Sequence, residues 1–127
     1  MSRNVQSLPS WLLAVLVAVS WLGLLVHNFL ESVDGSTIAV GLVSAGLFLG
    51  WWRIPSRRSA MGWLLLGMGI VQFAGATVTV VPFGFLPFTP SQTLGHYLVH
   101  VEYGASQVPL AGAMIKQLLR DSGKSQA

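Results

Sequence analysis

The chain has no cysteine, which excludes disulfides, thiolate metal sites and thiol redox chemistry, and leaves the compartment open. It is nearly as poor in charge. Only 9% of its 127 residues are Asp, Glu, Lys or Arg, against about a quarter in an ordinary soluble domain. The apolar fraction is 53% and the mean hydropathy +0.65, more apolar surface than a single domain of this size buries in its own core. Lipid is the solvent that suits such a composition. A net charge of +3 does not point to nucleic acid. The seven Lys and Arg are spread over the termini and one loop, whereas phosphate binders gather them along one element. Also missing are a serine nucleophile set beside a base and a glycine loop that would cradle phosphate, so the reading leans away from a free-standing enzyme.

What is present is apolar length. Four runs approach the roughly 20 residues that cross a hydrocarbon core. They predict an all-α, four-transmembrane-helix bundle in one domain, 1–127, with spans at 11–30, 37–52, 60–81 and 94–119 and a tail at 120–127. The first run follows Arg3, yet its apolar core is longer than the roughly 7–15 residues of a signal h-region, and no small-x-small site follows. It reads as a retained span.

Orientation follows from charge. With four spans, Arg3, the loop bearing Arg53, Arg57 and Arg58, and the C-terminal segment bearing Lys116, Arg120 and Lys124 fall on one side, which accounts for every basic residue. The loops 31–36 and 82–93 contain none. The positive-inside rule then places both termini in the cytoplasm of a cell-membrane protein. Trp51, Trp52 and Trp63 flank the basic loop as an inner aromatic belt. The outer loop 82–93, "PFGFLPFTPSQT", is uncharged, and its prolines forbid regular helix and sheet. It is expected to lie along the interface as a lid, with Phe83, Phe85 and Phe88 dipping inward. Small residues at Gly41, Ala45, Gly46 and Gly50, and at Gly62, Gly67, Gly69 and Gly75, suit close helix packing or a homodimer.

One stretch does not fit a plain span. "LGHYLVHVEYGASQVPL", 94–110, holds His96, His100 and Glu102. Counting about 1.5 Å per residue from the outer ends places His27 about 5 Å deep, His96 about 3 Å, His100 about 9 Å and Glu102 about 12 Å. All three histidines of the chain thus share one depth in the outer leaflet. His27 and Glu31 are four apart on one helix face. His96, His100, Tyr103 and Gln107 follow 4-3-4 spacing as a polar stripe. Glu102 is offset by about 200° from His100 and is expected to contact another helix, through Thr77 or Thr79. Gln72 and Gln107 both fall near the midplane and are expected to pair. Pro109 frees the carbonyl of Ala105, which Gln107, Ser106 or water would satisfy.

Interhelical hydrogen bonding alone accounts for part of this pattern. A carboxylate as deep as Glu102, costing about 3 kcal/mol or more if charged, points further, to pairing, protonation or function. The expected metal-ligating set is His27, Glu31, His96 and His100, since neutral imidazoles suit Zn, Cu and Fe and no thiolate is needed. A bis-histidine haem on His27 and His100 is the weaker version, because no Arg or Lys lies at the outer face to hold the propionates. Glu102, Tyr103, Gln107 and Gln72 are the expected ligand- or proton-handling groups. The chain therefore reads as a small multi-pass membrane protein with a binding or accessory role. The alternatives are a protein that binds or transports a quinone, another lipophilic ligand or a proton-coupled small solute, and a purely structural subunit of a membrane complex. Its expected partners are the bilayer and a second copy or a larger membrane complex.

Overall fold

A computed structural model describes residues 7–31 and 35–124. It contains four α-helices: α1 (Ser10–Glu31), α2 (Gly35–Arg53), α3 (Arg58–Val78) and α4 (Leu94–Lys124). No strand occurs among the described residues. Three helical stretches, Ser10–Leu30, Gly35–Arg53 and Pro55–Val78, are long and apolar enough to cross a membrane. The histidines, Glu102, Gln107 and Lys116 lower the hydropathy of α4, which does not share that property. It also runs on into the segment read as a tail.

Local chemistry sets the boundaries. Pro55 opens a single 3₁₀ turn, Pro55–Arg57, where its missing N–H costs nothing, and α3 starts directly after it. Thr93 caps α4: its Oγ1 accepts a hydrogen bond from the backbone N–H of His96 at 3.2 Å. That cap fixes the register of the polar stripe from its first turn. Pro109 sits inside α4 without ending it.

The helices form a closed ring. α4 packs on both α3 and α1, and α2 packs on both α1 and α3. The half of the bundle beside the basic loop 53–58 is apolar, built on Leu13, Val17, Leu65, Leu66, Leu110, Met114 and Leu118. Trp51 belongs to this core rather than to an interfacial belt. Its indole lies under the guanidinium of Arg58, 5.2 Å from the ring centroid, and its carbonyl accepts from Arg58 Nε at 3.1 Å. Trp52 and Trp63 remain exposed beside the basic loop, and Arg53 stacks over Trp52 at 4.2 Å.

Close approach falls on two glycines above all. A Cβ on Gly41 would stand 2.5 Å from Trp21 Nε1, which donates to the carbonyl of Thr37 at 3.0 Å. A Cβ on Gly23 would stand 1.8 Å from Ser106 Oγ and 2.5 Å from Ser106 Cβ. Gly46, Gly67 and Gly75 have open space where a Cβ would be, so they do not serve packing within this bundle.

The loop 82–93 departs from expectation. Phe83, Phe85 and Phe88 are all exposed and do not enter the bundle. Backbone bonds from Phe83 N to Val81 O and from Leu86 N to Phe83 O fold the loop on itself. Phe83 and Phe85 stack on each other with centroids 5.2 Å apart. The loop is held instead by buried Pro90 and by Gln92, which donates to Val80 O and accepts from Tyr97 Oη.

Candidate functional site

α1 and α4 run antiparallel, and polar contacts join them at several levels. Just before the start of α1 the backbone N–H of Leu8 donates to Gln117 Oε1 at 2.9 Å. At mid-bundle Ser20 Oγ donates to Gln107 Oε1, and Gln107 Nε2 donates back to the carbonyl of Ser20 at 3.0 Å. Gln107 is 0% exposed, so this reciprocal pair is fully desolvated. One turn outward Gly23 admits Ser106. One further turn outward, His27 meets His100.

The three histidines converge as their shared depth predicts. His27 Nε2 and His100 Nε2 lie 3.2 Å apart. The two rings meet edge to face with centroids 4.5 Å apart. The ring of His96 stands one turn outward, 4.4 Å from that of His100. Tyr103 lies on the inner side, its ring 5.0 Å from that of His27. His96, His100 and Tyr103 are buried, and His27 is half-buried.

The outer nitrogen of each paired ring is already committed. His100 Nδ1 is 2.8 Å from the carbonyl oxygen of Ala76 on α3, so it carries the proton and donates. His27 Nδ1 is 2.8 Å from Asn28 Oδ1. Asn28 Nδ2 in turn donates to Thr37 Oγ1 on α2, which directs Oδ1 at the imidazole. With an oxygen 2.8 Å from each Nδ1, the two Nε2 atoms face each other at 3.2 Å.

Other expectations need correction. Glu102 is exposed and does not reach Thr77 or Thr79. Those hydroxyls donate to carbonyls of their own helix, at Phe73, Ala74 and Gly75. His100 points toward α3, so a residue about 200° away lies on the opposite flank. There Glu102 Oε1 is the next neighbour of the Gly23 position, at 3.4 Å. Gln72 and Gln107 do not pair, because Gln107 is taken by Ser20. Gln72 Oε1 is buried with no hydrogen-bond partner among the described residues. Gln107 Nε2 and Ser106 Oγ also donate to the carbonyl of Tyr103, not to that of Ala105. Glu31 ends α1, and its side chain lies outside the described residues.

No three His, Asp or Glu among the described residues are already grouped as a metal site. The histidine pair is the part that is built. Ser20, Gly23, Asn28 and Thr37 support it and were not among the expected site residues. A signal for two of them does exist in the sequence, since Ser20 and Gly23 follow helical spacing with His27 on one face of α1.

No protein-family model matches the chain, and no curated protein or solved structure is significantly similar to it.

Proposed function

We propose that the chain is a four-span membrane protein, both termini cytoplasmic, whose outer half binds a first-row transition-metal ion through His27 and His100. The fourth span is α4: Leu98, Val101, Val108, Ile115 and Leu119 face outward while its polar stripe turns inward. The Arg–Trp contacts around residues 51–58 suit the inner interface.

A single observation supports the metal reading: two Nε2 atoms 3.2 Å apart, on rings whose Nδ1 atoms each lie 2.8 Å from an oxygen. Metal-binding histidines almost always hold their second nitrogen in this way, which fixes tautomer and ring angle. Zn–N bonds of about 2.0–2.1 Å at a tetrahedral angle set two ligand nitrogens about 3.3 Å apart. The two ring planes stand 83° apart. Two imidazoles on opposite faces of a haem would stand further apart than 3.2 Å, so haem does not suit the pair. His96, whose ring centroid lies 4.4 Å from that of His100, is the nearest further imidazole.

Zn²⁺ titration of protein in mild detergent tests this. Wild type is expected to bind about one ion, and His27→Ala or His100→Ala to bind none while remaining folded. Asn28→Leu, which removes only the supporting oxygen, is expected to weaken binding by about 10–100-fold. Equal affinity in wild type and both alanine variants would sink the reading.

A lipophilic ligand is the second reading. A groove of about 250 Å³ between α3 and α4, lined by Phe73, Ala76, Tyr97, His100 and Gly104, opens sideways in the outer half. It is at or below the lower end of sizes typical for ligand sites.

A further inference from the structure

The outward face of α4 is not built like a lipid face. α1 shows the ordinary pattern: Val15, Val19, Leu22, Val26 and Phe29 are all exposed, all apolar and none smaller than valine. Opposite its buried side, α4 exposes Leu98, Glu102, Ala105, Pro109, Gly112 and Lys116, spaced 4-3-4-3-4. These are the a and d positions of a heptad, and Val101, Val108 and Ile115 stand exposed beside them at g. Ala105, Pro109 and Gly112 keep the middle of the stripe low. A Cβ on Gly112 would meet nothing within 4 Å, so packing inside the bundle does not require a glycine there.

Two polar groups on this face are out of place against lipid. Glu102 stands about 12 Å below the outer end of α4. It leans toward α1 at Gly23 yet stays exposed, whereas ionisable side chains at such depth almost always face protein or a water-filled cavity. Pro109 has no N–H for the carbonyl of Ala105 on the same face, and Ser106 and Gln107 donate to Tyr103 instead. Lys116 lies toward the basic end, where its long stem can carry the charge to the interface.

We propose that this face of α4 packs against the same face of a second copy, as a parallel two-fold pair in which Glu102 meets Glu102. Charge selects the occupant. The seven basic residues, placed on one side by the four-span reading, insert both copies in the same sense, so the two α4 helices run parallel. A two-fold axis along the membrane normal then sets each stripe residue opposite itself at equal depth. A neutral carboxyl suits that position, because it carries both a donor and an acceptor and can pair with its own copy through two hydrogen bonds. Ala105 and Gly112 let the backbones approach closely. A lone polar residue at an a position fixes register and partner number. The interface rests on the reading that α4 spans, and it stands whether or not His27 and His100 hold a metal.

The absence of native cysteine makes each introduced thiol unique. Full-length protein carrying a donor or an acceptor dye at Ser122→Cys is mixed in lipid vesicles, and energy transfer is followed as the protein-to-lipid ratio falls. The otherwise wild-type chain is expected to pair. Glu102→Leu is expected to weaken pairing by roughly tenfold, through loss of both interhelical bonds. Gly112→Leu should do the same while keeping its helix content, since it fills space that the bundle leaves open. Glu102→Gln, whose amide also donates and accepts across the axis, should stay within about threefold of wild type. Leu22→Ala, on the outward face of α1, should change nothing. A monomeric wild type, or pairing indifferent to both Glu102→Leu and Gly112→Leu, would overturn the interface. Ala105→Cys separates that failure from failure of the span. If it resists an impermeant thiol reagent from both sides, α4 lies in the bilayer and only the interface falls; rapid modification would overturn the span and the interface together.

Discussion

Gly23→Leu is expected to abolish the folded bundle, and Gly23→Ala to destabilise it by about 1–3 kcal/mol, the usual cost of overfilling a packed contact. The reason is local. A Cβ at position 23 would sit 1.8 Å from Ser106 Oγ and 2.5 Å from Ser106 Cβ. The hydroxyl can rotate away, but Ser106 Cβ moves only with the backbone of α4. The two helices must therefore part, and His27 and His100, one turn outward, part with them. A rescue separates this account from a general intolerance of side chains at position 23. Ser106→Gly removes both clashing atoms and leaves Glu102 Oε1 as the nearest neighbour, at 3.4 Å. The double variant Gly23→Ala/Ser106→Gly is then expected to be no less stable than Ser106→Gly alone, which itself carries the roughly 1 kcal/mol penalty of an interior helical glycine. Reversible unfolding by SDS in mixed micelles measures all four corners of the cycle. Simple additivity of the two single changes would show that the helices do not touch at this point.

The second large effect is expected at Gln107. Its amide accepts from Ser20 Oγ and donates to the carbonyls of Ser20 and Tyr103. Gln107→Leu keeps the bulk and removes all of these bonds. Interhelical hydrogen bonds in membranes average about 0.6 kcal/mol and reach about 1.7. Loss of the reciprocal pair should therefore cost about 1–3 kcal/mol by the same SDS titration. Ser20→Ala alone should cost less, because the backbone carbonyl of Ser20 still accepts from Gln107. The cycle of the two is expected to show clear positive coupling. An unaltered midpoint in Gln107→Leu would mean that the mid-bundle pair carries no stability.

Much of this arrangement was legible before any coordinates. The helices follow from apolar length, and the meeting of His27 with His100 follows from nearly equal depth, within two helical turns, on antiparallel elements. What depth cannot supply is azimuth. Glu102 was expected on α3, yet the direction in which α4 turns His100, toward the carbonyl of Ala76, places Glu102 on the α1 flank. Gln72 and Gln107 share a level, but a serine on the neighbouring helix captured Gln107 first. The phenylalanines of the outer loop were expected to seek the bundle because they are apolar. In a membrane the surroundings are apolar too, so composition alone does not choose between inward and outward. The contribution of Asn28 was hidden for a different reason: its value lies in one hydrogen bond to the residue beside it, which no periodicity reports.

The central claim, that His27 and His100 share one ion, is tested most directly by electron paramagnetic resonance of the protein loaded with one equivalent of Cu²⁺. Copper prefers the same imidazole donors and reports each bound nitrogen as a splitting. Wild type is expected to show at least two histidine nitrogens. His27→Ala and His100→Ala should each lose one nitrogen or lose the ion. Asn28→Leu should keep the nitrogen count but bind more weakly, because only the support of His27 is gone. A wild-type spectrum of free or surface-bound copper, indistinguishable from that of the His27→Ala/His100→Ala double variant, would contradict the claim. It would leave the pair as a neutral hydrogen bond, with the Asn28 amide reversed and His27 Nε2–H donated to His100.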